Sequence, residues 1–227
     1  MADYNRVVII GGHGKVALLA APKLKAAGHA VDSIIRNPDH ADDVRAAGGN
    51  PVVLDIESAD VDALASAFKG AGAVVFSAGA GGGTTPERTR VVDYEAATRA
   101  MQAAEQAEMK RFVMVSYATA DTDVDRLDPS DAFYPYAKAK HDADARLRES
   151  GLDYTILGPA LLTLEPATGR IQRTEAAGDD WPDDNRVTSR DNVAEVIAHV
   201  IKTGAASRQT VNFYDGGTAI DEAIGGD

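Results

Sequence analysis

The chain contains no cysteine among its 227 residues. That excludes a disulfide framework, a thiolate nucleophile and any Cys-ligated metal. Its five histidines are scattered, without the spacing that metal ligation needs. Positive charge is scarce too: 23 Lys and Arg stand against 35 Asp and Glu, a formal net charge of -12. Nucleic-acid binding rewards clustered Lys and Arg, so the balance argues against it, and equally against an anionic membrane surface. An anionic cofactor is not barred, because local glycines and a few basic side chains decide that; the overall acidity favours solubility. No apolar run approaches the roughly 18 residues that a bilayer span requires. Strand-like sequence begins at about Arg6, which leaves no room for a signal peptide, so a cytoplasmic protein is expected. Internal repeats and flexible linkers are absent as well.

What is present is ordinary globular material, 44% hydrophobic and 26% charged. It suits one domain over residues 1–227. The organising stretch runs from Arg6 to Ala17. Arg6 to Ile10 (RVVII) is a near-continuous apolar run, as in a strand buried on both faces. Gly11 and Gly14 then frame a tight turn, and a helical pattern begins at Lys15. Strand, glycine turn and helix N-terminus in that order make a phosphate site, because glycines admit the anion and the helix end attracts it. The spacing is Gly-x-x-Gly-x-x-Ala, with Ala17 in the place of a third glycine.

The same alternation continues. Strands are expected at 29–35, 51–56, 73–76, 111–116 and 153–157, with helices at 15–27, 41–47, 60–68, 87–107 and 136–150. Alternating strands and helices imply an α/β fold, a doubly wound parallel sheet with helices on both faces, as in a Rossmann fold. After Pro159 the alternation breaks. Residues 160–186 read as an irregular, substrate-side C-terminal cap containing Trp181 as lid or anchor, before a helix at 191–202 and a last strand at 209–214.

Candidate cofactor contacts follow from this order. His13, Lys15 and Val16 sit with Gly11 and Gly14 on the phosphate turn. Arg36 ends strand two, where an Arg accommodates the 2′-phosphate of NADP and a carboxylate would bind the ribose of NAD. NADP is therefore expected rather than NAD, although a solvated Arg at a strand end is common. Asp55 and Ile56 end strand three, where Asp55 can meet an adenine amino group or cap the next turn. Ser77, Ala78 and Gly79 open a glycine-rich loop that lets backbone approach the cofactor's ribose.

Candidate chemistry lies at Tyr136 and Lys140, four residues apart on one helix face. A nearby ammonium is expected to lower the tyrosine pKa and make it an acid, and Lys140 can also hold the nicotinamide ribose. Tyr134 and Lys138 have the same spacing, with Pro135 placing Tyr134 before the helix. Ser116 ends strand five and can hydrogen-bond a substrate oxygen. Asp142 and Asp144 are expected on different helix faces, in solvent.

These residues resemble the short-chain dehydrogenase/reductase superfamily, and within it the atypical NAD(P)-binding, NmrA-like branch. The likeness rests on Gly11 to Ala17, Arg36-Asn37-Pro38, Asp93-Tyr94-Glu95, Tyr136 to Lys140, the run from Ser150 to Leu157, and Thr188 to Ala194. Where that branch continues with Arg-Pro-Gly, this chain has Gly158-Pro159-Ala160, and Tyr117 and Ala118 stand where relatives place Ser or Thr. The resemblance implies an NADP-dependent oxidoreductase that passes hydride to a small carbonyl, flavin or quinone, acting as monomer or homodimer. A non-catalytic NADP sensor is the alternative. A nucleotide-sugar epimerase or dehydratase is a third, weakened by the short C-terminal region.

Overall fold

The computed structural model describes residues 6–81, 84–109, 111–174 and 186–225. Strand β1 (Arg6–Ile10) lies at the centre, between β2 (Ala30–Ile35) and β4 (Ala73–Phe76), parallel to both. Strand β3 (Asn50–Val53) extends one side, while β5 (Arg111–Val115), β6 (Asp153–Pro159) and β10 (Gln209–Asp215) extend the other in parallel register. The order β3-β2-β1-β4-β5-β6 is that of a doubly wound dinucleotide fold. Strands β8 (Arg170–Thr174) and β11 (Thr218–Ala219) add an antiparallel edge beyond β10.

The period of two along each strand builds the interior. Val7 and Ile9 point into one core cluster, Val8 and Ile10 into the other. Val75, Val113, Leu157 and Val211 continue the first; Phe76, Phe112, Met114 and Ile156 continue the second. Helices α1 (Lys15–Ala26) and α8 (Arg190–Thr203) cover the first face; α3 (Val61–Phe68), α5 (Ala97–Gln106) and α7 (Tyr134–Arg148) cover the second. Ala17, 1% exposed, packs α1 into the first cluster, so the missing third glycine serves helix packing. Helix α8 has clear ends: the Ser189 hydroxyl accepts from the N–H groups of Asp191 and Asn192, and Gly204 closes it at φ +76°.

Three expectations change. The segment 160–186 is not simply irregular: β7 (Leu161–Thr163) pairs in parallel with β9 (Val187–Ser189), and β8 joins the main sheet. Their patterns hide this, because in β8 only Ile171 is buried. Trp181 and the acidic run around it lie outside the described residues. The long helix expected at 87–107 is a helical run of three parts, α4 (Pro86–Thr89), a π-helical stretch (Arg90–Ala96) and α5. Finally, the stretch after β5, where no strand or helix is expected before 136, contains a helical turn, α6 (Asp123–Arg126).

Candidate functional site

A cleft of about 380 Å³ opens at the carboxyl ends of β1, β2 and β4, within the size range of small-molecule sites. Its floor is the glycine turn. Gly11 has φ +81°, and a Cβ there would lie 2.7 Å from Ala78 Cα. A Cβ on Gly12 would stand 2.5 Å from the Ser33 Cβ. Only a chain without side chains at these positions can thread between β2 and the loop after β4. Gly14 is the N-cap of α1 and offers no side-chain oxygen, and no acid stands in the first turn. The leading N–H groups of α1 thus have no internal partner, which makes the turn a ready cradle for pyrophosphate.

The end of the cleft formed after β2 and β3 carries paired charge. Arg36 and Arg88 both donate to Oε1 of Glu57, Arg88 through Nη2 at 3.1 Å. His13 stacks on His40 with ring centroids 3.6 Å apart, and its Nε2 lies 2.8 Å from Asp43. Asp55 turns back to its own segment and accepts from the Glu57 N–H at 3.0 Å.

The far wall, Ser77 to Gly79, leads into a buried polar cluster. The next N–H, of Ala80, donates to Asp93 at 3.0 Å. Asp93 sits in the π-helical stretch, and its other carboxylate oxygen is 3.1 Å from Lys140 Nζ, both side chains buried. Lys140 also donates to the Val115 carbonyl at 3.3 Å and lies 5.8 Å from the Tyr136 ring. One turn further along α7, Asp144 accepts from the Ser116 hydroxyl at 2.5 Å. Tyr136, Tyr117 and Phe133 form a ring cluster with centroids 5.3 to 5.6 Å apart, and Phe133 is 43% exposed.

Burial and charge set the protonation of this cluster. Burial alone would lower the Lys140 pKa, but Asp93, Tyr136 and Asp144 outweigh it and hold the ammonium above the usual lysine range. Burial raises Asp144 to about 6, against the opposing pull of the Ser116 hydrogen bond, Lys140 and Arg148. Burial also raises the Tyr136 phenol, and Lys140 only partly offsets this because Asp93 and Asp144 act the other way.

Sequence comparison agrees with the crevice. The profile of the NAD(P)H-binding family matches residues 11–204. The chain belongs to the NAD(P)H-binding family. Among its relatives is the Bacillus subtilis protein named uncharacterized sugar epimerase YhfK, 33% identical over 220 residues that cover 96% of this chain and 98% of that one. A solved structure from Bacillus halodurans, a candidate NAD-dependent epimerase/dehydratase, superposes with a TM-score of 0.85 at 32% identity, covering 95% and 96% of the two chains. The oxidoreductase ylbE of Lactococcus lactis follows at TM-score 0.80 and 27% identity over 96% and 94%.

In this NAD(P)H-binding protein Gly11, His13, Gly14, Arg36, Asp55 and Ile56 line the cleft, as do Ser77, Ala78 and Gly79. Lys15 and Val16 do not: Lys15 is exposed and Val16 is packed into the core beneath α1, so only their backbone faces the turn. Asp55 and Ile56 follow strand β3 rather than ending it, since pairing stops at Val53. The expected lowering of the Tyr136 pKa is reversed, because burial raises it and the pull of Lys140 is offset by the carboxylates of Asp93 and Asp144. Tyr134 is the first residue of α7, not a pre-helical one, with Pro135 in the first turn where its missing N–H costs nothing. Lys138, in the alternative register, is exposed and bonds Asp142 at 2.8 Å.

Asp144 is not in solvent but 1% exposed. Its spacing from Tyr136 and Lys140 already placed it on their face; the comparison with Asp142 obscured that. Glu57, Arg88 and His40 left no local sequence signal. Asp93 was visible only as part of a resemblance. At Gly158 a Cβ would stand 2.1 Å from Asn212 Oδ1, so the Asn212 side chain of the adjacent strand leaves no room for a side chain there.

Proposed function

We propose that this protein is an NADP-dependent oxidoreductase that reduces a small planar carbonyl, quinone or flavin. The observation that carries the reading is the continuity between crevice and cluster: the loop that walls the cleft is hydrogen-bonded to Asp93, which holds Lys140 beside Tyr136. The crevice fits the dinucleotide, since the glycine turn leaves uncapped N–H groups for pyrophosphate and Arg36 and Arg88 stand at the ribose end. When bound, the reduced nicotinamide supplies a hydride. The chain's own share is to bind, orient and protonate. Tyr136, kept neutral by burial, donates a hydrogen bond to the acceptor oxygen, Ser116 can offer a second once Asp144 is protonated and no longer takes its proton, and the rings of Tyr117 and Phe133 suit a flat acceptor.

The test is NADPH oxidation followed by absorbance, with phenanthrenequinone, riboflavin and an aromatic aldehyde as acceptors. Turnover with one of them is expected, and Tyr136→Phe is expected to lower kcat by about 10²-fold, the scale of one lost oxyanion donor. Failure of every acceptor would overturn the reading. The non-catalytic sensor is favoured by one observation, that Lys140 is engaged by Asp93 rather than presented to the cleft. Tight NADPH binding without turnover is its expected signature.

A further inference from the structure

Two buried carboxylates, Asp93 and Asp144, share the buried ammonium of Lys140, and Asp93 is the one in contact with it, at 3.1 Å. Asp144 is left with a hydroxyl. Its Oδ2 takes the Ser116 hydrogen bond at 2.5 Å, and its Oδ1 is buried without a hydrogen-bond partner among the described residues. A buried carboxylate with an open oxygen and only a neutral partner is costly in its charged form. Such a group is where the cluster takes up its proton. Ser116, the residue after β5, is 5% exposed and is the hydrogen-bond partner of Asp144 at the carboxyl end of that strand.

We propose that Asp144 is the proton reservoir of this site and that Ser116 is its relay to the acceptor oxygen. The inference rests on the reductase reading given above. The step balances with one proton. As the acceptor is reduced, its oxygen forms a bond to the Ser116 hydroxyl proton and the Ser116 O–H bond breaks. The same Ser116 oxygen takes the proton of the Asp144 carboxylic acid, which becomes a carboxylate beside Lys140. Once product has left, solvent in the open site returns the proton through Ser116. Tyr136 keeps its own proton throughout, as a donor with a raised pKa should. Asp144 therefore acts through Ser116 and does not touch the substrate.

Several charged and titratable groups face Asp144. They are Lys140 and Arg148 on its own helix, Asp121 on the loop after β5, and the phenols of Tyr136 and Tyr117. Lys140 and Arg148 favour the carboxylate, as does the Ser116 hydrogen bond, while burial and Asp121 oppose it; burial prevails and the midpoint rises to about 6. The acid form is thus present below about pH 6 and lost above it.

Two readouts test this. In protein labelled at the aspartate carboxyl carbon, NMR should show one carboxyl titrating near pH 6, absent in Asp144→Asn and displaced upward in Ser116→Ala, which removes a bond that favours the carboxylate. In phenanthrenequinone reduction with saturating NADPH, kcat should fall tenfold per pH unit above that midpoint. Asp144→Asn should slow turnover and abolish this limb, as should Ser116→Ala, whereas Tyr136→Phe should slow turnover with the midpoint unmoved. The proposal is overturned if no aspartate titrates between pH 5 and 7.5, if Ser116→Ala leaves the midpoint in place, or if Asp144→Asn keeps the native profile. Absence of turnover in the unmutated protein would instead overturn the reductase reading, and the relay with it.

Discussion

At the scale of single residues, this site is defined by who shares a charge with whom. Asp144 gives the clearest consequence. Its pKa rises from 3.8 to about 6 because burial penalises the charged form, so the folded state holds the proton more tightly than the unfolded chain does. That stability is fully present below about pH 4 and is lost as pH rises through about 6. Urea unfolding should show the unmutated protein losing about 1 to 2 kcal/mol between pH 5 and 8 relative to Asp144→Asn. A constant difference between the two would show that Asp144 does not titrate in the folded state. In the cleft itself, Arg36 and Arg88 are held on Glu57. A 2′-phosphate can take over those donors, whereas the hydroxyl of NADH has no charge to offer them. NADPH is expected to bind more tightly than NADH in calorimetric titration, with Arg36→Ala removing most of the difference. Equal affinities in the unmutated protein would sink that expectation.

At the scale of elements, the site depends on how closely backbones approach. The turn between β1 and α1 passes within van der Waals distance of the loop after β4, with φ +81° at Gly11 and Ala78 Cα 2.7 Å from an added Cβ. Gly11→Ala adds both a strained dihedral and a clash. It is expected to destabilise the fold by about 1–3 kcal/mol and to weaken NADPH binding together with stability. Denaturation and titration curves matching the native protein would contradict the close approach. The π-helical stretch is the other local device. It interrupts an otherwise α-helical run and contains Asp93, the residue that ties the cleft wall to Lys140. π-helical turns recur at functional sites because the extra residue changes which side chain faces inward.

At the scale of the whole molecule, two core clusters are built from alternate residues of the same central strands. Phe112 belongs to one and Phe213 to the other, and both are fully buried. Truncation of either to Ala is expected to cost about 3–5 kcal/mol. Because the strands are common to both clusters, unfolding should remain one transition, coincident in far- and near-ultraviolet circular dichroism. Separate transitions for the two faces would show that the chain does not unfold as a single unit.

What the amino-acid order determined by itself is local. Apolar runs buried on both faces, glycines at the first turn and after α1, and apolar helical spacing specify strands and helices in alternation. That alternation with right-handed crossovers leaves few arrangements besides the doubly wound sheet. That Gly11 to Gly14 and Arg36 line one cleft was legible because their places at the ends of β1 and β2 follow from position along the chain. The tertiary structure decided the rest. Strand β8 has one inward side chain, so its place in the sheet comes from pairing with β10 and β11, not from its own pattern. Glu57 met Arg36 and Arg88, and Asp144 met Ser116, only when separate elements converged. Desolvation and charge sharing are sums over neighbours distant in sequence. No local pattern contains them, which is why Tyr136 and Asp144 both have raised pKa values where the sequence suggested a lowered phenol and a solvated acid.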